Sequence, residues 1–336
     1  MIQIENISTD PAYNLALEEF LHLHRQPLRD AFLLWQNEPT VVIGRNQNTI
    51  DEIHCDYVEA AGVHVVRRNS GGGAVYHDLG NLNFSFLVDD CEQVFSFERF
   101  TRPVIHTLRQ LGVEAENSGR NDIAIVGRKI SGNAQYRRYG RLLHHGTILF
   151  DANLENLTKA LNYAPEKYVS RAVASIRNRV TNVCEHLPQR ITIAEFRDLI
   201  EKNVIAEYGI QPGSLTDDEQ EIVLKLRDEK YLSRDWNYGQ SPPTWTKMFL
   251  RKFPWGTLDV RLKVREGKIA SCAFYGDFFS SDDPHSLAAQ FIGRSFDRQT
   301  LETALPESEI RRVFPDLAKH LLLDMVFEQS TPPWTL

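Results

Sequence analysis

Residues 121–150 read NDIAIVGRKISGNAQYRRYGRLLHHGTILF. Brief apolar or alternating runs bounded by glycine and polar pairs are strand signals. Two such runs meet at Gly127-Arg128, and a third, LLHHGTILF, follows at once. Strands that succeed one another across tight turns pair antiparallel, whereas a parallel sheet needs a crossover of a dozen or more residues between strands. This stretch therefore places the chain in the α+β class rather than among repeating βαβ sheets.

Working outward, AFLLW (31–35) and TVVIG (40–44) read as two short buried strands, and residues 63–66 form another that leads into RRNSGGGAVYHDLGNLNFSFLV. Its second half alternates, with Leu82, Phe84 and Phe86 on one face and Asn81, Asn83 and Ser85 on the other. Asp10-Pro11 is a helix start, because Asp caps free amides and Pro is pre-set for the first helical position; the helix is expected over 11–25. Further helices are expected over 51–60, ending at Gly62, and over 95–111, stopped by Gly112. Thr192 with Glu195 and Thr216 with Glu219 are capping boxes, in which each pair satisfies the other's exposed amides.

The run WNYGQSPPT (236–244) breaks both kinds of element, since its prolines lack amide donors. A boundary there divides the chain into residues 1–245 and 246–336. In the second part Leu258, Val260, Leu262 and Val264 alternate with charged residues, Glu266-Gly267 turns the chain, and a strand returns over 268–275. Helices are expected near 284–292, 298–304 and 315–325.

Length agrees: 336 residues correspond to about two domains. Hydrophobic residues at 42% and charged residues at 25% exclude a disordered or membrane-embedded chain. The N-terminus lacks the basic and apolar regions of a secretion signal, so a cytoplasmic location with no membrane partner is expected. Cys55, Cys91, Cys184 and Cys272 are dispersed, as reduced thiols would be. A net charge of −7 argues against nucleic acid as a partner. Residues 120–179 nevertheless carry eleven basic against four acidic side chains, a local +7 that leaves −14 for the remainder. Such a region suits a compact anion, an acidic partner, or simply a solvated basic face.

Three consecutive glycines, Gly71-Gly72-Gly73, follow a strand and cost backbone entropy. Either a ligand lies against this backbone, with Arg68 adding charge, or the glycines build a tight turn or bulge. No Walker loop or GxGxxG pattern is present. Lys129 lies in an otherwise apolar hairpin, where a point charge can reach a carboxylate and a phosphate. Asn121-Asp122 could hold magnesium or cap a turn. His144 and His145, adjacent on a strand, must face opposite ways and cannot form one metal-binding face. Cys184 has only His186 nearby to activate it.

Taken together, RRNSGGGAVYHDLGNLNFSF from Arg67, SGRNDI from Ser118, RKISGNAQ from Arg128, HHGTILFDA from His144 and SIRNRVTN from Ser175 resemble the signature blocks of the lipoate–protein ligase A family, in the family's order. The resemblance covers about residues 10–250, and the tail is similar to the accessory domain of bacterial ligases in this family. It implies a large mixed-sheet catalytic domain of the biotin/lipoate ligase type with a small α+β C-terminal domain. It also implies two reactions: lipoate's carboxylate attacks the α-phosphate of ATP, and an acceptor lysine then attacks the lipoyl-adenylate.

By motif, the resemblance assigns Arg68, Ser70, Gly72, His77, Lys129 and His145 to lipoate. Arg68, Gly73, Ala74, Val75, Tyr76, Asn121, Asp122, Lys129, Ala134 and Thr147 are assigned to the nucleotide, Asp122 to Mg2+, and Lys129 to catalysis. The implied acceptors are lipoyl domains of E2 subunits and the H protein, and the expected oligomeric state is a monomer. A transferase on the same scaffold that uses a preformed activated donor without ATP is the main alternative; a non-catalytic lipoate sensor is a second.

Overall fold

The computed structural model describes all residues except 28, 91–95, 120, 163–178, 239–244, 266 and 328–336. Within that range, the chain forms two compact units. The first comprises residues 1–43, 49–69 and 74–237; the second comprises 44–48, 70–73 and 238–336.

The first unit is built on an eight-stranded mixed sheet. In chain order its strands are β1 (Ile2–Ile4), β2 (Ala31–Trp35), β6 (Asn81–Asp89), β7 (Ala115–Ser118), β8 (Asp122–Ile125), β9 (Arg128–Arg138), β10 (Arg141–Leu149) and β11 (Gln211–Gly213). They lie in the order β11-β1-β2-β6-β10-β9-β8-β7. All pairs from β2 to β7 are antiparallel, as short turns require for β7–β8, β8–β9 and β9–β10, and only β1 pairs parallel, with both β2 and β11. A smaller sheet, ordered β4-β3-β5, contains β3 (Thr40–Ile43), β4 (His64–Arg67) and β5 (Val75–His77).

Helix α1 (Pro11–Glu19) begins as expected, with Asp10 accepting the Ala12 amide and Pro11 in the first turn, and it continues as a π-helical turn over Phe20–His24. The expected helix over 51–60 is two short ones, Thr49–Glu52 and Cys55–Ala60. Helix α2 (Glu98–Gln110) and helix α3 (Ile193–Tyr208) cover one face of the large sheet around Phe84, Phe86, Phe100 and Phe196. Helix α1 covers part of the other face, with Leu33, Trp35, Leu87 and Leu143 beneath it. Both capping boxes, at α3 and at α4 (Asp217–Leu226), are formed. The β8–β9 turn is Val126-Gly127, one residue before the expected Gly127-Arg128, and both residues have positive φ.

Gly146, at the centre of β10, faces α2 and α3. A Cβ there would overlap the Asn133 side chain and the Phe84 ring. Gly146→Ala is therefore expected to destabilise the first unit by about 3 kcal/mol through overpacking, which urea unfolding of both proteins would show as a lowered midpoint.

In the second unit, β12 (Lys247–Phe253), β13 (Gly256–Arg265) and β14 (Lys268–Gly276) make an antiparallel sheet. Its core gathers Leu258, Val260 and Leu262 with Phe278, Phe291 and Phe314. The expected helices occur as Pro284–Ala289, Arg298–Ala304 and Lys319–Phe327, and a fourth, Glu307–Val313, joins them. Of the expected break at 236–244, residues 236–238 instead close a short helix, Arg234–Tyr238, while 239–244, like Glu266, lie outside the described residues.

Candidate active site

The alternation in β6 places three polar side chains, Asn81, Asn83 and Ser85, on the face that α1 only partly covers. All three are buried. Register then builds the site row by row: Ser85 lies opposite Leu33 and His145, with Ala134 beyond, and Asn83 lies opposite Trp35 and Thr147. The hydroxyl of Thr147 accepts the Gly132 amide at 3.2 Å, and Gly132 pairs with Asp122. His145 and Thr147, two residues apart on one strand, share this face at a spacing of about 7 Å.

At the Thr147 end, Lys129 runs over Gly132, which has no side chain in its way, and its Nζ meets Asp122 Oδ1 at 2.8 Å. This ion pair is part-exposed, so its attraction contributes little to stability and leaves both groups accessible. Asn121 is tied to the neighbouring strand: its Nδ2 donates to the Asn133 carbonyl, and its own carbonyl accepts from the Asn133 side chain and amide.

At the other end, Glu18 of α1 accepts from Ser85 Oγ and lies 3.1 Å from His145 Nδ1. Trp35 Nε1 donates to the same Ser85 oxygen at 2.8 Å. Arg68 is buried and donates to the Val42 carbonyl at 3.2 Å. Burial lowers its pKa to about 10, against the raising effect of Glu18, so it stays charged at neutral pH. His77 is held by a chain of side-chain amides: Asn6 donates to Asn14, Asn14 to Asn37, and Asn37 to His77 Nδ1 at 3.1 Å. Burial, with the positive charge of Arg68 and the His145 ring, lowers the His77 pKa to about 3. The neutral ring accepts at Nδ1 and so carries its proton on Nε2.

That Nε2, with Asn81 Oδ1, Asn83 Nδ2 and the Tyr76 hydroxyl, is buried and has no hydrogen-bond partner among the described residues. Buried polar atoms are nearly always satisfied, so the unsatisfied ones on this face make it a candidate for a ligand. His144 points to the other face: it is enclosed by Phe84, Phe97 and Phe100, its Nδ1 is bonded to Gln135, its Nε2 is likewise without a partner among the described residues, and burial pushes its pKa well down. The two neighbouring histidines do face opposite ways.

The triple glycine belongs with the second unit. A Cβ on Gly71 would overlap the Phe278 carbonyl, and Gly72 has φ +90°. Gly73 has nothing within 4 Å of its missing Cβ. Gly71 and Gly72 thus have conformational reasons, as a tight turn requires, and a ligand against the same backbone is compatible with them. Ser70 accepts the Arg45 amide on its carbonyl.

Three charges of the basic stretch are paired within the chain. Arg141 is internal, bonded to Asp30, Asp89 and the Arg29 carbonyl; Arg137 pairs with Asp90 and Lys159 with Glu155. These charges serve the fold. Residues 163–178, including the first half of SIRNRVTN, lie outside the described residues. No group of three or more His, Cys, Asp or Glu suited to a metal occurs among the described residues, and no helix there is long and apolar enough to cross a membrane. Asp122 offers one carboxylate, which fits magnesium's habit of taking one or two carboxylates plus substrate phosphates.

Burial and the neighbouring Asp151 raise the Cys184 pKa to about 11, which removes it as a nucleophile. Iodoacetamide at pH 8 is expected to label exposed Cys55 at least about tenfold faster, and Cys184 reactivity should climb as pH approaches 11. Equal labelling rates at pH 8 would contradict this.

The model of the lipoyl protein ligase A/B catalytic domain matches residues 10–205, and that of the bacterial lipoate protein ligase C-terminus matches residues 243–326. The chain belongs to the lipoate–protein ligase family. The Bacillus subtilis lipoate-protein ligase LplJ is 42% identical, covering 97% of this chain and 99% of the relative. Lipoate–protein ligase 1 of Staphylococcus aureus is 39% identical, covering 96% and 98%. Among solved structures, P. falciparum LipL1 in complex with lipoate superposes with a TM-score of 0.77 at 25% identity over 97% of each chain. A lipoate–protein ligase A bound with ATP gives 0.61 at 27% identity, over 71% of this chain and 98% of that one. The Thermoplasma acidophilum ligase studied with its E2 lipoyl domain gives 0.66 at 30%, over 72% and 97%.

Glu18, Trp35, Asn81, Asn83 and Ser85 are site residues that sequence reasoning left unassigned. The alternation in NLNFSF exposed the polar row but not its purpose. Glu18 carried one usable signal: a carboxylate inside the apolar run LALEEFL.

Proposed function

We propose that this ligase activates lipoate with ATP and transfers the lipoyl group to a lysine of acceptor domains, namely E2 lipoyl domains and the H protein. The observation that carries the reading is one sheet face with unsatisfied polar groups and buried Arg68 toward the Glu18 end, and an accessible lysine–aspartate pair at the Thr147 end. A long acid with one terminal carboxylate suits this arrangement, its chain lying along the rows from His145 toward Thr147. Arg68, Ser70, Gly72, His77, Lys129 and His145 would bind lipoate; Gly73, Ala74, Val75, Tyr76, Asn121, Asp122, Lys129, Ala134 and Thr147 would surround the nucleotide, and Arg68, also assigned there by motif, is kept for lipoate because it lies with Glu18 and His77. Residues 1–245 would form the catalytic part and 246–336 the accessory part.

In the first step the carboxylate oxygen bonds to the α-phosphorus and pyrophosphate leaves. Two anions must approach each other, and Lys129 Nζ would neutralise charge at both. Magnesium, when bound with Asp122, would supply further charge neutralisation on the phosphates. In the second step the acceptor amine bonds to the acyl carbon and AMP leaves with the former carboxylate oxygen. The chain's contribution is positioning and electrostatics. The burial of the sheet face favours survival of the mixed anhydride by limiting water.

The test offers an unmodified lipoyl domain either lipoate, ATP and magnesium or synthetic lipoyl-adenylate. Mass spectrometry should find one lipoyl group added in both reactions. Modification from the adenylate alone would favour the transferase, and modification in neither would remove the reading.

A further inference from the structure

Next to Glu18 on α1, Glu19 faces a different set of partners. Its Oε2 accepts from Lys230 Nζ at 2.5 Å, from Tyr231 Oη at 2.6 Å and from Asn69 Nδ2 at 3.1 Å. Asn69 closes the cluster: its Nδ2 also donates to Tyr231 Oη at 2.8 Å, and its Oδ1 accepts from Lys230 Nζ at 3.0 Å. Glu19, Asn69 and Tyr231 are buried, and Lys230 lies over the Trp236 ring at 4.1 Å. Burial alone would raise the Glu19 pKa, but the Lys230 charge and these hydrogen bonds together bring it down to about 2.

Arg67, on the other side of Arg68, is held by the same segment of chain. Its amide donates to Asn237 Oδ1, its Nε to the Trp236 carbonyl, and its carbonyl accepts from Trp236 Nε1. Asn237 in turn donates to the Tyr231 carbonyl at 2.6 Å. The residues before and after Arg68 are thus both fixed by residues 230–237, while the Arg68 guanidinium reaches the Val42 carbonyl and the field of Glu18.

A buried carboxylate–ammonium pair gains little stability over an apolar packing of the same volume, since desolvation offsets the attraction. What this pair does accomplish is geometric, because every group in it ends on Asn69. We propose that Glu19, Lys230 and Tyr231 are positioning residues for lipoate recognition, acting through Asn69 to fix the backbone that presents Arg68. The inference rests on the assignment of Arg68 to lipoate and needs no assumption about ATP chemistry.

Tyr231→Phe removes the hydroxyl that bridges Glu19 and Asn69 while keeping the buried ring. Titration calorimetry of the full-length protein, with lipoate and with ATP separately, is expected to show lipoate affinity weakened by about tenfold, the loss of one hydrogen bond to a charged group. ATP affinity should be unchanged. Asn69→Ala should weaken lipoate by a similar factor, and the double variant should be no worse than either single one. If Tyr231→Phe does not fold, Glu19→Gln is read by the same criteria. Unchanged lipoate affinity, equal loss for lipoate and ATP, or additive effects in the double variant would overturn the proposal. A wild-type protein that binds lipoate yet releases no pyrophosphate from ATP would instead count against the proposed function alone.

Discussion

Lys129→Ala is expected to yield a folded protein that forms lipoyl-adenylate about a hundred- to a thousandfold more slowly, the range seen when one preorganised electrostatic donor is removed. The fold should survive because the ion pair that Lys129 makes with Asp122, at 2.8 Å, is part-exposed. Pairs of that kind are worth at most about 1 kcal/mol. The loss should extend to transfer from synthetic lipoyl-adenylate, because the same cation would neutralise the leaving phosphate. Pyrophosphate release and acceptor labelling measure the two steps, and circular dichroism with a melting curve controls for folding. Near-normal adenylate formation in this variant would remove Lys129 from the chemistry.

Arg68→Ala is expected to weaken lipoate binding by about a hundredfold while leaving ATP affinity within about threefold. The size follows from burial, since removing a large buried side chain that lines the ligand's site leaves a void and unpaired polar neighbours, at about 2–5 kcal/mol. The selectivity follows from position, because Arg68 lies in the field of Glu18 and His77, toward the opposite end of the sheet face from Lys129 and Asp122. Arg68→Lys should recover only part of the loss, since an ammonium cannot reproduce the planar fork of a guanidinium. Calorimetry with each ligand decides the matter, and equal losses for both would contradict the assignment.

Much of the architecture was legible because local chemistry and the tertiary fold agree. Asp10-Pro11 and the Thr192 and Thr216 boxes announced their helices, and the antiparallel run from Asp122 to Leu149 announced the sheet. Elements that were missed have weak local signals. Strand β11 is Gln-Pro-Gly at a sheet edge, where pairing with β1 decides and proline is tolerated. In β12 the apolar Met248 and Leu250 are exposed beside Lys247 and Arg251, so no alternation survives. The helix Glu307–Val313 is too short for a period and has no side-chain cap, and Ile310 and Val313 hold it by packing.

The site divided in the same way. Lys129, Arg68, His77 and His145 stood out as motif residues, whereas Glu18 and Glu19 become meaningful only when α1 meets partners 50 to 212 residues away in sequence. No local pattern carries that information. Arg141 shows the converse error, a charge that reads as surface yet is almost wholly buried, at 2% exposure, between two aspartates.

The most direct test of the account is to incubate the protein with lipoate, magnesium and ATP labelled in its α-phosphate, with no acceptor present, and to separate the products after acid quenching. The account predicts a labelled lipoyl-adenylate, with pyrophosphate released in equal amount. Absence of both, in a preparation that does transfer lipoyl groups from synthetic lipoyl-adenylate, would contradict it.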